Sequence, residues 1–420
     1  MLPTDTIEFA KHILGGFSVI LGVGCLCGAL SRKVGIPDIV LYLLAGMVLG
    51  SAGLGVLDIS ADSSVNQAIL IFGASYLVFD GGASLRLQVL TKVWISISVL
   101  ATFGLLITAA VTAAAAHYIA GIPVMVALLI GAAIASTDPA TLVPIFKQVP
   151  IRERVAQTVM AESAFNDAMG AIITFTIAGL MMGAAAFSLP NTLADLAYTG
   201  GGGLLVGLLA GFTFIYLISP EKIGLFTGFA PVFKIVAILA TYLGADAMGT
   251  SGFMAVFVLG IMVGNRRTFK AAFTDHDTES FESFQGIIAE IMRIMVFILL
   301  GSHVDFELIN RYLFDGIIIV AVLMLVARPL TVFLCCLPDR RARWTLNEML
   351  FMCWTRETGV IPAALAGLLV GMKVPGAKEV AATVFIAIIV TIVIQASSTK
   401  WLAGKLGLLE KNGSSGNKGK

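Results

Sequence analysis

Apolar runs of about 20 residues, the length a helix needs to cross the hydrocarbon core of a bilayer, follow one another along nearly the whole chain. Short polar turns separate them. Hydropathy predicts about thirteen spans, with approximate limits 7–31, 36–53, 66–83, 93–117, 122–146, 154–184, 199–218, 225–244, 250–264, 281–303, 311–336, 344–372 and 377–404. The short alternating segments of a membrane β-barrel do not occur. The first run has neither a basic leader nor a small-residue cleavage site, so it reads as a first span and not as a signal peptide. The pattern predicts an all-α polytopic membrane protein over residues 1–404 and a disordered tail over 405–420, where "EKNGSSGNKGK" is polar and rich in Gly and Ser.

Loop charge orients the spans. With the N-terminus outside, the inside loops collect Arg32, Lys33, Arg86, Lys92, Lys147, Arg152, Arg154, Lys222, Arg266, Arg267, Lys270, Arg340, Arg341 and Arg343. The outside loops hold only Arg311, Lys373 and Lys378. This bias puts the C-terminus in the cytoplasm, in a plasma membrane or bacterial-type inner membrane.

Composition agrees with the pattern: 58% of the 420 residues are hydrophobic and 13% charged, about half the charged share of a soluble domain. A formal net charge of +1 points to no nucleic-acid or polyanion partner. Cys25, Cys27, Cys335, Cys336 and Cys353 all fall in apolar segments without a metal-ligand spacing, which suits packing.

Two spans are interrupted. In "IASTDPATLVP" Pro139 removes a backbone donor and biases Asp138 away from helix; in "WTRETGVIPAAL" Gly359 and Pro362 make a second break. Broken helices late in each half of a chain point to two inverted six-helix repeats, joined here by a linker helix, with a binding site near the midplane.

The polar residues inside the spans share one depth. At about 1.5 Å rise per residue, Asp138, Glu162 and Arg328 lie roughly 12 Å from the inner ends of their spans, Arg356 roughly 18 Å and Asp167 roughly 20 Å. Positions 162, 163, 166 and 167 occupy an arc of about 140° on one helix face. Oxygen ligands suit hard cations, and Asp167, Glu162, Ser163, Thr137 and freed carbonyls could supply them. Asp138 and Arg356 could serve as counter-charges for the half-helix ends. Arg328 cannot lose its proton and needs an anion, for which Glu162 is best matched in depth. Asp167 is then left as a titrating group able to hold either a proton or a metal ion, which suffices for exchange.

"STDPA", "ESAFND" and "RPL", with "VGIPDIVLYLLAGMVLGSAGLG" and "LVFDGGASLRL" upstream, resemble the monovalent cation/proton antiporter superfamily, in its electroneutral NhaP-like and NHE-like sodium/proton branch. The resemblance covers about residues 20–400. It implies an NhaA-like antiporter fold. It also implies that Asp167 carries the ion and the proton, beside Asn166, Glu162 and Ser163, with Thr137 and Asp138 at the unwound crossing. Arg328 matches the arginine paired with the family's glutamate. Arg356 matches that of the second broken helix, although "TRETGV" departs from the commoner wording and leaves the parts of Arg356 and Glu357 open. The implied assembly is a homodimer moving as an elevator, with a core of about 66–184 and 281–404 and a dimerisation part of about 7–53 and 199–264.

The expected activity is exchange of Na⁺, or Li⁺, for H⁺ at Asp167, one for one, with no cofactor beyond the transported ions and no enzymatic chemistry. Potassium/proton exchange is the nearest rival, since selectivity depends on cavity size. A cation channel would show a pore loop or a ring of carboxylates, and an intramembrane hydrolase a histidine at the depth of Ser163; the sequence has neither. Ser163 and Thr137 could also make only local hydrogen bonds. Lys234, Glu290 and Arg293 are expected to form a second buried network that joins helices, His303 to sit at an interface, and loop 265–280 to connect two spans.

Overall fold

The computed structural model describes residues 3–57, 59, 63–138, 142, 145, 146, 149, 151–183, 189–271 and 273–410. Pro139 and the end of the expected disordered tail lie outside the described residues. Helices account for nearly all the regular structure, since a helix pairs its own backbone where no water is present to do so. In chain order they are α1 (Pro3–Val34), α2 (Asp38–Leu49), α3 (Ser64–Ser84), α4 (Leu87–Tyr118), α5 (Val124–Ala135), α6 (Glu153–Met181) and α7 (Leu189–Ile218). There follow α8 (Ala230–Ala247), α9 (Gly252–Gly264), α10 (Asp275–Ser302), α11 (Phe306–Cys336), α12 (Leu346–Trp354), α13 (Val360–Gly371) and α14 (Ala377–Lys405). An antiparallel bridge joins Ile151 to Leu409.

Among the described residues, eight helices are long and apolar enough to span a membrane: α1, α4, α6, α7, α8, α10, α11 and α14. Four shorter apolar helices, α2, α5, α9 and α13, accompany them. At about 1.5 Å per residue α5, α12 and α13 each reach only part-way across, because their spans unwind in the middle. Each of the long helices α4, α11 and α14 contains one widened π turn: Leu100–Gly104, Leu323–Ala327 and Thr391–Ala396. Helix starts are fixed by side-chain caps. Ser251 accepts from Met254 N at the head of α9, and Thr345 with Glu348 forms a reciprocal capping box on α12. Glu348 is also ion-paired with Arg154 of α6, tying the first turns of α6 and α12 together.

Packing divides the helices into two groups. In the first, α9 lies against α3 and α7, and α10 against α1, α2 and α3, with α8 beside α7 and α9. In the second, α4 packs on α5 and α6, α11 on α14, and α13 on α14. This boundary differs from the division implied by the resemblance, which put residues 66–83 and 281–303 in the core part. Both helices concerned, α3 and α10, pack mainly in the first group. Glycine explains why: a Cβ on Gly260 or Gly264 of α9 would run into the α3 backbone at Phe79 or Ala83, and one on Gly82 into Phe257 of α9.

The turn from α11 to α12 is held by Asp339, which accepts from Ser96 Oγ at 2.6 Å, Arg341 N at 3.0 Å and Ala342 N at 3.1 Å. Burial alone would raise this carboxyl's pKa, but the hydrogen bonds outweigh it and hold the group below the ordinary aspartate range. Its contribution to stability is therefore present above the unfolded-state pKa of about 3.9 and is lost as pH falls through the lower folded value. Asp339→Asn should accordingly lower thermal stability at neutral pH and flatten the acid limb of a melting-temperature-against-pH curve in detergent; an unaltered curve would show that the turn does not depend on this charge. Gly260→Val should force α3 and α9 apart and cost about 1–3 kcal/mol, read as a lower melting temperature.

Candidate ion-binding site

The two interrupted spans cross where their helices unwind. α5 ends at Ala135, and residues 136–138 continue without helical structure; residues 355–359 separate α12 from α13. The strands touch through Asp138 N, which donates to Glu357 O at 3.1 Å. Asp138 Oδ2 accepts from Val360 N at 2.9 Å, placing a carboxylate on the open N-terminus of α13. Arg356 Nη2 donates to Ile134 O at 3.1 Å and to Ala135 O, placing a guanidinium on the open C-terminus of α5. Each broken span thus neutralises the other's exposed helix end. Gly359 is required at the contact, because a Cβ there would collide with the Asp138 carboxylate. Thr391 in the π turn of α14 completes the frame by accepting from Thr358 N at 3.1 Å.

α6 brings its polar face to this crossing. Arg328 of α11 grips Glu162 with both arms, Nη1 to Oε1 at 2.5 Å and Nη2 to Oε2 at 2.9 Å, and its Nε donates to Met352 O at 3.0 Å. Arg328 directly follows the π turn of α11 and precedes Pro329, which has no N–H to return to the preceding turn. Asn166 binds the unwound strand twice: its Nδ2 donates to Thr137 Oγ1 at 2.9 Å, and its Oδ1 accepts from Thr137 N at 3.1 Å. Glu162, Ser163, Asn166, Asp167, Thr137 and Arg328 are all buried.

These bonds leave a distinct remainder. Both carboxylate oxygens of Asp167 and the hydroxyls of Ser163 and Ser136 have no hydrogen-bond partner. Ser136 lies close enough to act on Asp167 without making a regular hydrogen bond to it. Asp167 lines a cleft of about 360 Å³ that runs to the exposed Asp246 and is walled by Gln67 and Ile71 of α3, Tyr242 of α8, Phe253 of α9, Phe175 of α6 and Ile361 of α13. These residues come from both helix groups, so the cleft lies on the seam between them. A second cleft of about 600 Å³ opens on the same seam at the opposite face, bounded by Arg32, Asp38 and Glu290 on one side and Val149, Ser397 and Lys400 on the other.

The sequence-predicted residues therefore come together with separate duties. Both oxygens of Glu162 accept from Arg328. Thr137 is held by Asn166, and Asp138 and Arg356 serve the helix ends. The expected network of Lys234, Glu290 and Arg293 separates into two. Lys234 Nζ donates to Phe281 O at 3.1 Å and lies 3.9 Å from the centre of the Phe281 ring. Arg293 pairs with Glu290 and, at 3.6 Å, with Asp38, while Tyr42 donates to Glu290 at 2.9 Å. His303 shares a hydrogen bond with Ile59 O at 3.0 Å. Ser136 and Gln395, buried and unpartnered, join the polar set: Ser136 opens the "STDPA" motif without an expected part of its own, and Gln395 sits in an unremarkable apolar run.

Residues 20–405 match the family described as "Sodium/hydrogen exchanger, transmembrane". The chain is 30% identical to the Na⁺/H⁺ antiporter 1 of Methanocaldococcus jannaschii, over 94% of this chain and 95% of that protein. It is 29% identical to the K⁺/H⁺ antiporter NhaP of Alkalimonas amylolytica, over 95% of this chain and 67% of that protein. The solved structure of the sodium/proton antiporter NhaP1 from M. jannaschii at pH 8 superposes with a TM-score of 0.78 at 29% identity, covering 95% of this chain and 99% of that one. A polar crossing of two broken helices in an all-helical membrane protein, matched over nearly its whole length, places the chain in the family of transmembrane sodium/hydrogen exchangers.

Proposed function

We propose that this antiporter exchanges Na⁺ for H⁺, one for one, with Asp167 as the group the two ions share. The observation that carries this reading is the Asp167 carboxylate, buried, without a hydrogen-bond partner, and lining a cleft. When ionised, it and the oxygens of Ser163, Ser136 and Thr137 form a donor set suited to a hard monovalent cation. When protonated, it is neutral and needs no cation. Either occupant excludes the other, and each adds one positive charge, so the cycle moves no net charge. Glu162 and Arg328 stay paired throughout and fix α6 against α11.

Two clefts on one seam suit alternating access. The group of α4–α6 and α11–α14 carries the site and slides as an elevator against the other group, which in a homodimer supplies the fixed interface. Taking α5 as part of one crossing and α12 with α13 as another is compatible with thirteen crossings arranged as two inverted six-helix repeats. The loop-charge bias puts the C-terminus in the cytoplasm of a plasma or inner membrane, which makes the Asp167 cleft outward-facing. Potassium/proton exchange is the second reading, supported by relatives of both names.

In proteoliposomes carrying an imposed pH gradient, Na⁺ should drive proton movement that is unchanged when the voltage is clamped at zero; a current would rule out one-for-one exchange, and a response to K⁺ in place of Na⁺ would select the second reading. Asp167→Asn should abolish Na⁺-dependent proton flux and leave the melting temperature near that of the parent, because the group makes no internal bond that is lost. Glu162→Gln should act oppositely, unpairing Arg328 at a cost of about 3–5 kcal/mol, seen as a much lower melting temperature.

A further inference from the structure

One buried carboxylate has no part in that cycle. Glu357 lies in the unwound strand between α12 and α13, wholly buried, its backbone carbonyl holding Asp138 N while neither of its side-chain oxygens has a partner. The Thr358 hydroxyl beside it and both polar atoms of Gln395 are also unpartnered. Gln395 stands one turn along α14 from Thr391, which binds this strand through Thr358 N. The charged groups acting on Glu357 are Arg328, Asp138 and Arg356; α14 contributes the neutral Thr391 and Gln395. Neither guanidinium is hydrogen-bonded to it: Arg328 is engaged with Glu162, and Arg356 with the α5 carbonyls.

Charge bookkeeping makes this group consequential. Among the described residues around the crossing, four buried carboxylates (Asp138, Glu162, Asp167 and Glu357) face two buried guanidiniums (Arg328 and Arg356), which leaves two negative charges when all are ionised. One monovalent ion at Asp167 removes only one. An uncompensated charge in an apolar interior is strongly disfavoured, and a buried carboxylate with no side-chain donor is the group that most readily gives up its charge.

We propose that Glu357 keeps a proton through the whole transport cycle, a resident carboxylic acid that sets the charge of the crossing. The crossing is neutral when Asp167 holds Na⁺ or H⁺ and carries one negative charge when Asp167 is empty. Only the loaded forms can reorient at low cost, which makes exchange obligatory and suppresses leak of either ion. The inference rests on Asp167 as the shared site.

The test uses the full chain in proteoliposomes and in detergent. Glu357→Gln, which fixes the neutral form, should retain Na⁺/H⁺ exchange that ignores a voltage clamp, and should stay active at alkaline pH where the parent declines. In infrared spectra of the parent, a carboxylic-acid carbonyl band should persist when Na⁺ is added and should vanish in Glu357→Gln. A folded Glu357→Gln without exchange, exchange that becomes voltage-dependent, or a band that Na⁺ removes would each overturn the proposal. If Glu357→Gln does not fold, Glu357→Asp must shift the same band; an unmoved band is equally fatal. Failure of the Asp167 reading looks different: Asp167→Asn would keep exchanging, while the Glu357 band stayed in place.

Discussion

Inside a bilayer, a backbone group that leaves its helix has no water to turn to, and two spans of this protein break where that constraint is most severe. The structure answers by crossing the breaks, so that Asp138 closes the end of α13 and Arg356 the end of α5. Every other feature of the site follows from this exchange of charges. It fixes the strands at 136–138 and 355–359, and those strands give α6 a polar surface to pack on. Without it, Thr137 would have no defined position and Asn166 nothing to hold.

The polar groups around the crossing sort by what they have left to offer. Glu162 and Arg328 hold each other through two parallel hydrogen bonds, with Arg328 Nε anchored on Met352 O. Asn166 uses its amide to fix Thr137. Asp167, in the same helix face, has no regular hydrogen bond to either oxygen. A carboxylate so placed has its affinity unspent, and competition between two small cations needs no more elaborate device. The surrounding bonds matter because they keep other donors away from it.

Much of this was readable from the chain. The break at Asp138 and Pro139, the break at Gly359, and the shared depth of Glu162, Asp167 and Arg328 locate the crossing and pair Arg328 with Glu162, because few charged residues compete at that depth. Counter-charge duties for Asp138 and Arg356 follow from the dipoles of half-helices. Other points were not legible. The bidentate grip of Arg328 on Glu162 depends on side-chain geometry that sequence spacing does not contain. The grouping of α3 and α10 with α2 and α9 depends on which glycine faces meet, and hydropathy records only that both helices are apolar. Ser136 and Gln395 acquire meaning from what fails to contact them, which no local pattern encodes.

The bridge between Ile151 and Leu409 joins the last described residues to the segment that opens α6, with Arg152 N donating to Leu408 O at 3.0 Å and Glu153 N to Glu410 Oε1 at 3.3 Å. The C-terminal end is therefore clipped to the foot of the helix whose middle bears Asp167. A rigid helix passes displacement along its axis with little loss, so movement of residues 408–410 is coupled to α6 and, about four turns along it, to Asp167. Residues 408–410 are thereby a handle on the middle of α6.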